Sequence, residues 1–487
     1  MQLLTTKRQS ACCVERSYVR NVFDYFKLTA YDKSLDEINC IDVGYINAWE
    51  KLHDSCVSYK RPEDLSVCYL SGPQPDNDFN ELISLGILPQ NIWAFENDKG
   101  AYKQALSTYN SNEFPQPKII KMSIQQFFKN TPKKFDIVYI DACGTIMSEQ
   151  KCLQIITTLF RYHRLNPLGV LVTNFSSPDI SFEEELNSYS SVIALYNMFR
   201  MHPQICIDNE NLAISNEKFI NIKKECELNF SYNYGEFITS ILKDVASIIV
   251  PAQRFSNAYA QTFMESDSKG EIKSPINFND INKISNHSVS KFFMLGELME
   301  RDNQNILNFT KRLHRFFEDC SGYESLSINI AESLRFIHML KDGDIKLNDD
   351  VVAIKDFFDG DNRIYQFLDK TTSGMFFDLT INQLSYPMHY NSESIKRFKY
   401  TAKTTEMHMD IIAFDECRYI YEWLPSIHQV QNAFLNKSWQ YVFRFALDGL
   451  IKQRIAYNNE YFFQGSVVPQ KALGFSAKLQ APRIIIK

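Results

Sequence analysis

Between residues 65 and 175 the sequence alternates five short apolar runs with stretches of helical periodicity, and this alternation constrains the fold more than any other feature. Buried strands that are linked by helices through short connections form a parallel sheet with helices on both faces. We therefore predict an α/β fold built on a doubly wound, mostly parallel sheet. The strands are predicted at 66–71, 91–96, 118–121, 136–141 and 170–175, and the helices at 76–85, 98–109, 124–129 and 149–163.

The chain on either side of this stretch is mainly helical in pattern. Amphipathic periodicity continues over 182–200, 234–250 and 290–317, and the polar stretch 266–286 is a candidate linker. Within the sheet region, Ser123 is the predicted cap of the third helix, and 166–169 is a predicted break before the fifth strand. The predicted regions are a helical lead-in at 1–60, the sheet domain at 61–180, a largely helical region at 181–385 and an α+β region at 386–487.

Near the C-terminus, 397–403 and 406–412 alternate polar and apolar residues, which predicts a β-hairpin that either extends the sheet or forms a small one of its own. Basic and aromatic residues are interleaved in the first segment, as suits single-stranded nucleic acid. Any hairpin with one solvated face gives the same alternation. The candidate substrate-binding residues here are Lys396, Arg397 and Tyr400.

Composition narrows the class of protein. The net charge of −6 gives no global attraction for nucleic acid, so such a site needs a local basic patch. The 11 cysteines lack metal-ligand spacing, which indicates reduced thiols and no zinc site. We find neither an apolar leader nor a run long enough to span a membrane, and we expect a cytoplasmic protein with no membrane partner.

Three predicted loops meet where the carboxyl ends of the strands open a ligand crevice. The loop 71–78 follows the first strand and meets a helix N-terminus, Glu96 ends the second strand, and Asp141 ends the fourth. Main-chain N–H groups at a helix N-terminus attract anions. A carboxylate at a strand end can accept both hydroxyls of a ribose, although a helix cap or a solvated strand end explains either acid equally well.

These residues resemble the Rossmann-like domain of class I S-adenosylmethionine-dependent methyltransferases, over about residues 60–180. The resemblance implies that the first loop approaches the methionine part of the cofactor, that Glu96 binds its ribose, and that the residues after the third strand contact adenine. The residues it implies as binding S-adenosylmethionine are Ser71, Gly72, Pro73, Asp76, Glu96, Asn97, Met122 and Ser123.

The first loop departs from the family pattern. It has one glycine and two prolines, and Tyr69 stands where the family has an acid. Proline stiffens the loop and removes N–H donors. Two hypotheses follow: an active methyltransferase, or a catalytically degenerate scaffold or binding protein in a multi-component assembly such as a bacterial antiviral defence system.

The stretch 141–145 resembles the Asp-Pro-Phe-Gly-Ser segment of guanosine N2-dimethylating tRNA methyltransferases, and the Asn/Asp-Pro-Pro-Tyr motifs that hold an exocyclic amine. The resemblance implies a nucleic acid base, in RNA or DNA, as the methyl acceptor. It also implies Asp141 as the catalytic residue and Cys143 and Gly144 as substrate-binding. No basic residue near Cys143 in sequence lowers its pKa, so we interpret it as a structural thiol rather than a nucleophile.

A second family is also similar. The segment 69–73 resembles the Tyr-Leu-Ala-Gly-Pro opening of nucleoside 2-deoxyribosyltransferases, and 141–149 resembles their Asp-x-Gly-Thr-x-x-Glu segment with a different spacing. This resemblance implies release of a free base from a deoxynucleoside. The run that ends at Glu96 and continues into a helix suits the methyltransferase better.

Overall fold

The computed structural model describes most of the sheet region and parts of the helical region. The described residues are 16–29, 36, 38–57, 60–110, 118–141, 144–148, 152–201, 216–263, 333–334, 336–337, 339–340, 345–359, 375–390 and 394–416. The segments predicted at 266–286 and 290–317 lie outside them, and so does Cys143.

Eight strands form one mixed sheet, and this confirms the predicted α/β class with a mostly parallel sheet. They are β1 (Val67–Leu70), β2 (Ile92–Phe95), β3 (Lys118–Ile120), β4 (Phe135–Asp141), β5 (Leu165–Ser176), β6 (His389–Tyr390), β7 (Lys396–Ala402) and β8 (Thr405–Asp415). The first five are parallel, in the Rossmann-like order β3-β2-β1-β4-β5. Strand β8 runs antiparallel beside β5, and β6 and β7 pair with the other edge of β8.

Helices connect the strands and cover the sheet. They are α1 (Tyr18–Thr29), α2 (Val43–Val57), α3 (Asp76–Ser84), α4 (Lys99–Asn110), α5 (Ile124–Asn130), α6 (Cys152–Arg161), α7 (Glu183–Met201), α8 (Asn216–Leu228), α9 (Phe230–Asp244), α10 (Val250–Phe263), α11 (Asp349–Asp359) and α12 (Met375–Ser385). A π-turn, Val245–Ile249, joins α9 to α10. Pro251 follows it and cannot donate the regular helical hydrogen bond, which accounts for the irregular turn there.

The two faces of the sheet are covered unequally. We call the face with Tyr69, Tyr139 and Val172 the front face; α3 and α4 pack on its β1–β3 half. The back face, with Cys68 and Val138, belongs to the larger core, which includes side chains of the lead-in helices and of α5 to α10. On the β4–β8 half of the front face, large side chains stay partly exposed, Tyr139 and Val172 among them.

Strand β5 is longer than predicted, because the expected break at 166–169 is a bulge inside the strand. Phe135 pairs with Leu165 and Ile137 with Val170, so six residues of β5 oppose three of β4. Pro167 lacks an N–H, but its carbonyl accepts the N–H of Glu416 at 2.7 Å. The bulge therefore uses the proline only as an acceptor.

The hairpin extends the main sheet, which decides between the two arrangements that the sequence left open. Residues Leu168–Ser176 of β5 pair with β8, and the whole of β7 pairs with β8. The sheet therefore takes strands from two of the predicted regions, 61–180 and 386–487.

Candidate functional site

The strand order of the sheet reverses between β1 and β4, and in open α/β sheets a crevice lies at the carboxyl ends of such strands. From β1 the chain goes to β2 and then β3 on one side, and it returns to β4 on the other side. The loops after β1 and β4 diverge at this reversal of strand order, which is where open α/β sheets bind ligands.

The loop after β1 is held open by its main chain. The N–H of Ser71 donates to the carbonyl of Phe95 at 3.1 Å. Gly72 has a φ of +59°, and no atom lies within 4 Å of the position that a Cβ would occupy. A side chain there would be strained by the backbone angle, while the space above the loop stays free for a ligand.

Tyr69, at the position of the family's acid, fixes this loop from below. Its hydroxyl donates to the carbonyl of Pro75 at 2.9 Å and lies 2.9 Å from the hydroxyl of Tyr109. Burial raises the pKa of Tyr69 far above its ordinary value, so the residue stays neutral. It shapes the loop and offers no charge to the crevice.

Glu96 lies half-exposed just beyond β2, where the ribose-binding acid was predicted. Its Oε1 accepts the N–H of Asp98 at 2.7 Å, while its Oε2 has no hydrogen-bond partner among the described residues. Asn97 beside it is exposed. One carboxylate oxygen is therefore oriented by the protein and the other is available to a ligand.

Beyond β3, Met122 is half-buried against the larger core, and Ser123 precedes α5. Ser123 has the extended backbone of a cap and accepts the N–H of Phe127 through its carbonyl at 3.0 Å. The predicted side-chain cap is not formed, because the hydroxyl makes no cap hydrogen bond.

Asp141 at the end of β4 is held by a residue that the sequence did not single out. Asn174 of β5, only 2% exposed, donates through Nδ2 to Asp141 Oδ1 at 3.0 Å and to the Tyr400 hydroxyl at 2.7 Å. Its Oδ1 has no hydrogen-bond partner among the described residues. A buried amide oxygen without a protein partner is costly, and a water, an ion or a ligand can supply the missing hydrogen bond.

The crevice carries a concentration of negative charge. Asp78, in the first turn of α3, has its pKa raised by its own burial and by the charge of Asp141. Asp76 precedes it in the same turn. Within the described residues no group of three or more histidine, cysteine, aspartate or glutamate side chains is arranged to hold a metal ion.

The loop after β4 is anchored to the helical region. Buried Tyr234 of α9 donates to the carbonyl of Ser176 at 3.0 Å and accepts the N–H of Ile146 at 3.1 Å. The carbonyl of Gly144 accepts the N–H of Ser176 at 3.0 Å. The loop conformation therefore depends on contacts with α9 and with the end of β5.

The three substrate-binding candidates on β7 are divided between the faces of the sheet. Lys396 and Tyr400 lie on the front face, and Tyr400 joins the crevice through Asn174. Arg397 lies on the back face, where its Nε donates to Thr239 Oγ1 at 2.8 Å and its guanidinium also pairs with carboxylates. Tyr400 therefore lies near Asp141, with Asn174 between them, and Arg397 lies on the opposite face of the sheet from both.

No protein-family model matches the sequence, and no curated protein matches it. Among the described residues no helix is both long and apolar enough to cross a membrane.

Proposed function

We propose that this protein is an S-adenosylmethionine-dependent methyltransferase that acts on a nucleic acid base. The observation that carries the proposal is the sheet itself. Its parallel order β3-β2-β1-β4-β5 continues into an antiparallel strand, β8, that returns from a hairpin. The strand order reverses between β1 and β4, as suits the Rossmann-like domain of class I methyltransferases that the sequence resembles, and the reversed strand β8 occupies the place where a dinucleotide-binding Rossmann sheet adds its sixth strand.

The charge of the crevice favours this cofactor over a dinucleotide. A pyrophosphate needs free N–H groups at the helix N-terminus. Here Pro73 and Pro75 remove two donors, and Asp76 and Asp78 place carboxylates in the first turn. A ligand with a sulfonium and an ammonium group is attracted by the same carboxylates that repel phosphate.

The described residues fit the parts of that cofactor. Glu96 has a free carboxylate oxygen for the ribose, and the space above Gly72 admits the methionine end. When bound, the cofactor supplies an activated methyl group, so the protein mainly has to align the acceptor. In this proposal Asp141, which Asn174 holds through a hydrogen bond, accepts a hydrogen bond from an exocyclic amine.

Calorimetric titration with S-adenosylmethionine and S-adenosylhomocysteine tests the proposal. We expect micromolar binding to the native chain and its loss in Glu96→Ala, because the ribose loses its acceptor. Glu81→Ala is the matched control, since Glu81 is an exposed acid on α3. Equal binding by both variants would remove Glu96 from the site.

Absence of binding to a correctly folded native chain would favour the degenerate scaffold, for which the single glycine of the first loop is the supporting observation. Release of free base from a deoxynucleoside would favour the 2-deoxyribosyltransferase instead. A radiolabelled methyl group that appears in RNA or DNA, and not in the Asp141→Ala reaction, would identify the acceptor.

A further inference from the structure

On the front face, the edge strand β7 exposes two aromatic rings to solvent. Because side chains alternate along a strand, Lys396, Phe398 and Tyr400 of β7 all lie on this face. Phe398 is 50% exposed and Tyr400 is 40% exposed, which is high for large apolar side chains on a sheet. The two rings are two residues apart, about 7 Å along the strand. Unstacked bases bind to rings presented in this way.

The cations of the hairpin are divided between the two faces. On the back face Arg397 pairs with Glu236 and Asp410, and Lys399 pairs with Glu406 at 3.2 Å. Lys396 on the front face and Lys403 in the turn form no ion pair with any described residue. The unpaired cations therefore lie at the two ends of the aromatic pair.

Beside the two rings, the front face of the neighbouring strand adds no opposing charge. From Thr405 to Ala413, the residues of β8 on this face are threonine, methionine, isoleucine and alanine. The carboxylates of this part of the hairpin, Glu406 and Asp410, belong to the back face. An apolar surface flanked by unpaired lysines complements a chain of bases and phosphates.

This surface leads directly into the crevice. Asn174 forms a hydrogen bond with the Tyr400 hydroxyl and another with Asp141. Only the Asn174 side chain therefore separates Tyr400 from the end of β4. The strand β7 is parallel to β4, so Phe398 and Lys396 lie progressively farther from the crevice.

We propose that the front face of β7 and β8 is a platform for single-stranded nucleic acid, with bases stacked on Phe398 and Tyr400 and phosphates on Lys396 and Lys403. The inference deepens the proposed function, because it names the form in which the substrate reaches Asp141. A single strand exposes its bases to the crevice without the cost of unpairing a duplex.

Binding is measured by fluorescence anisotropy with labelled oligo(dT) and oligo(U) of about 12 nucleotides. We expect Phe398→Ala to weaken binding by about 5- to 150-fold, the loss that one stacked base gives. Phe398→Leu, which keeps apolar cover but removes the ring, should weaken it similarly. Tighter binding of one oligonucleotide tells whether DNA or RNA is the natural ligand, because only RNA offers the 2′-hydroxyl.

Salt dependence gives a second readout that a merely structural residue does not change. The slope of log K against log salt is negative, and Lys396→Gln should reduce its magnitude by about 0.7, the value for one phosphate contact on a single strand. Lys399→Gln is the matched control, because Lys399 lies on the same strand but faces the back. Tyr232→Ala is the aromatic control, since Tyr232 is 68% exposed on α9, which packs behind the sheet.

The platform would be overturned by no binding of either oligonucleotide by the native chain, or by equal effects of the front-face variants and their controls. Tight binding of a duplex of the same sequence, unaffected by Phe398→Ala, would also overturn it. Titration of the same preparation with S-adenosylmethionine keeps the two proposals apart. Cofactor binding without oligonucleotide binding refutes the platform alone, and the reverse result refutes the methyltransferase alone.

Discussion

Replacing Tyr234 by phenylalanine removes one hydroxyl and leaves the packing of the ring in place. The ring stacks on Phe230 at 5.8 Å and meets Tyr189 and His408 edge-on at 5.7 and 5.2 Å. These contacts do not involve the hydroxyl. The substitution therefore isolates the two hydrogen bonds that join α9 to the loop after β4 and to the end of β5.

The magnitude follows from those two bonds. Each hydrogen bond contributes about 0.5–1.5 kcal/mol net, and a buried group left without a partner costs about 1–3 kcal/mol. Tyr234 is fully buried, and water does not reach the orphaned groups without local rearrangement. We expect the loop to lose about 2 kcal/mol of local stability, and its amides to exchange about thirty-fold faster.

Hydrogen exchange read by mass spectrometry on peptides that contain Ile146 and Ser176 measures this loss directly. Tyr232→Phe is the control, because its ring is mostly exposed, and we expect a change below about 0.5 kcal/mol. Unchanged exchange at Ile146 in Tyr234→Phe would refute the idea that this hydroxyl holds the loop. A uniform increase over the whole chain would show a global effect instead.

Three further predictions concern buried polar groups. Burial raises the pKa of Asp410 to about 6, above the value near 3.9 of an unfolded chain. The contribution of Asp410 to the free energy of unfolding is therefore present below about pH 4 and is lost as the pH rises through about 6, at a cost of roughly 3 kcal/mol. In urea unfolding, the stability of Asp410→Asn relative to the native chain should therefore increase as the pH rises from about 4 to about 7. A stability difference that stays constant over this range would contradict the raised pKa. Arg254 donates to four main-chain carbonyls, so Arg254→Met should cost about 3 kcal/mol, against less than about 1 kcal/mol for the more exposed Arg20→Met, and equal urea midpoints would contradict this. Asn174→Ala frees the Asp141 side chain and should lower methyl transfer by about ten- to a hundred-fold with unchanged cofactor binding; full activity would remove Asn174 from the site.

The strands around the crevice could be predicted from sequence because each one is a short buried run with a clear end. The predicted and observed bounds of β1 to β4 differ by one residue at most. In β5 the prediction was wrong over 166–169, because Pro167 normally ends a strand. Here a bulge and a bond from Glu416, far along the chain, let the strand continue.

The candidate site was only partly predictable, for a related reason. Glu96 and Asp141 are recognisable because each acid ends an apolar run. Asn174 lies close to the end of such a run, which was the one available signal, but its importance depends on Tyr400, 226 residues later. That contact exists only because β8 enters the sheet between β5 and β7, and local sequence cannot specify this pairing.

The register of the hairpin links the two faces of the sheet. A slip by one residue would turn every side chain of β7 to the other face. Lys399 or Thr401 would then take the place of Tyr400 on the front face. On the back face, Arg397 binds Thr239 and Asp410, and a Cβ on Gly235 would lie 3.1 Å from His408, so α9 fits closely against one register. The contacts of Arg397 on the back face therefore also fix the front face, because the same register places Tyr400 within reach of Asn174.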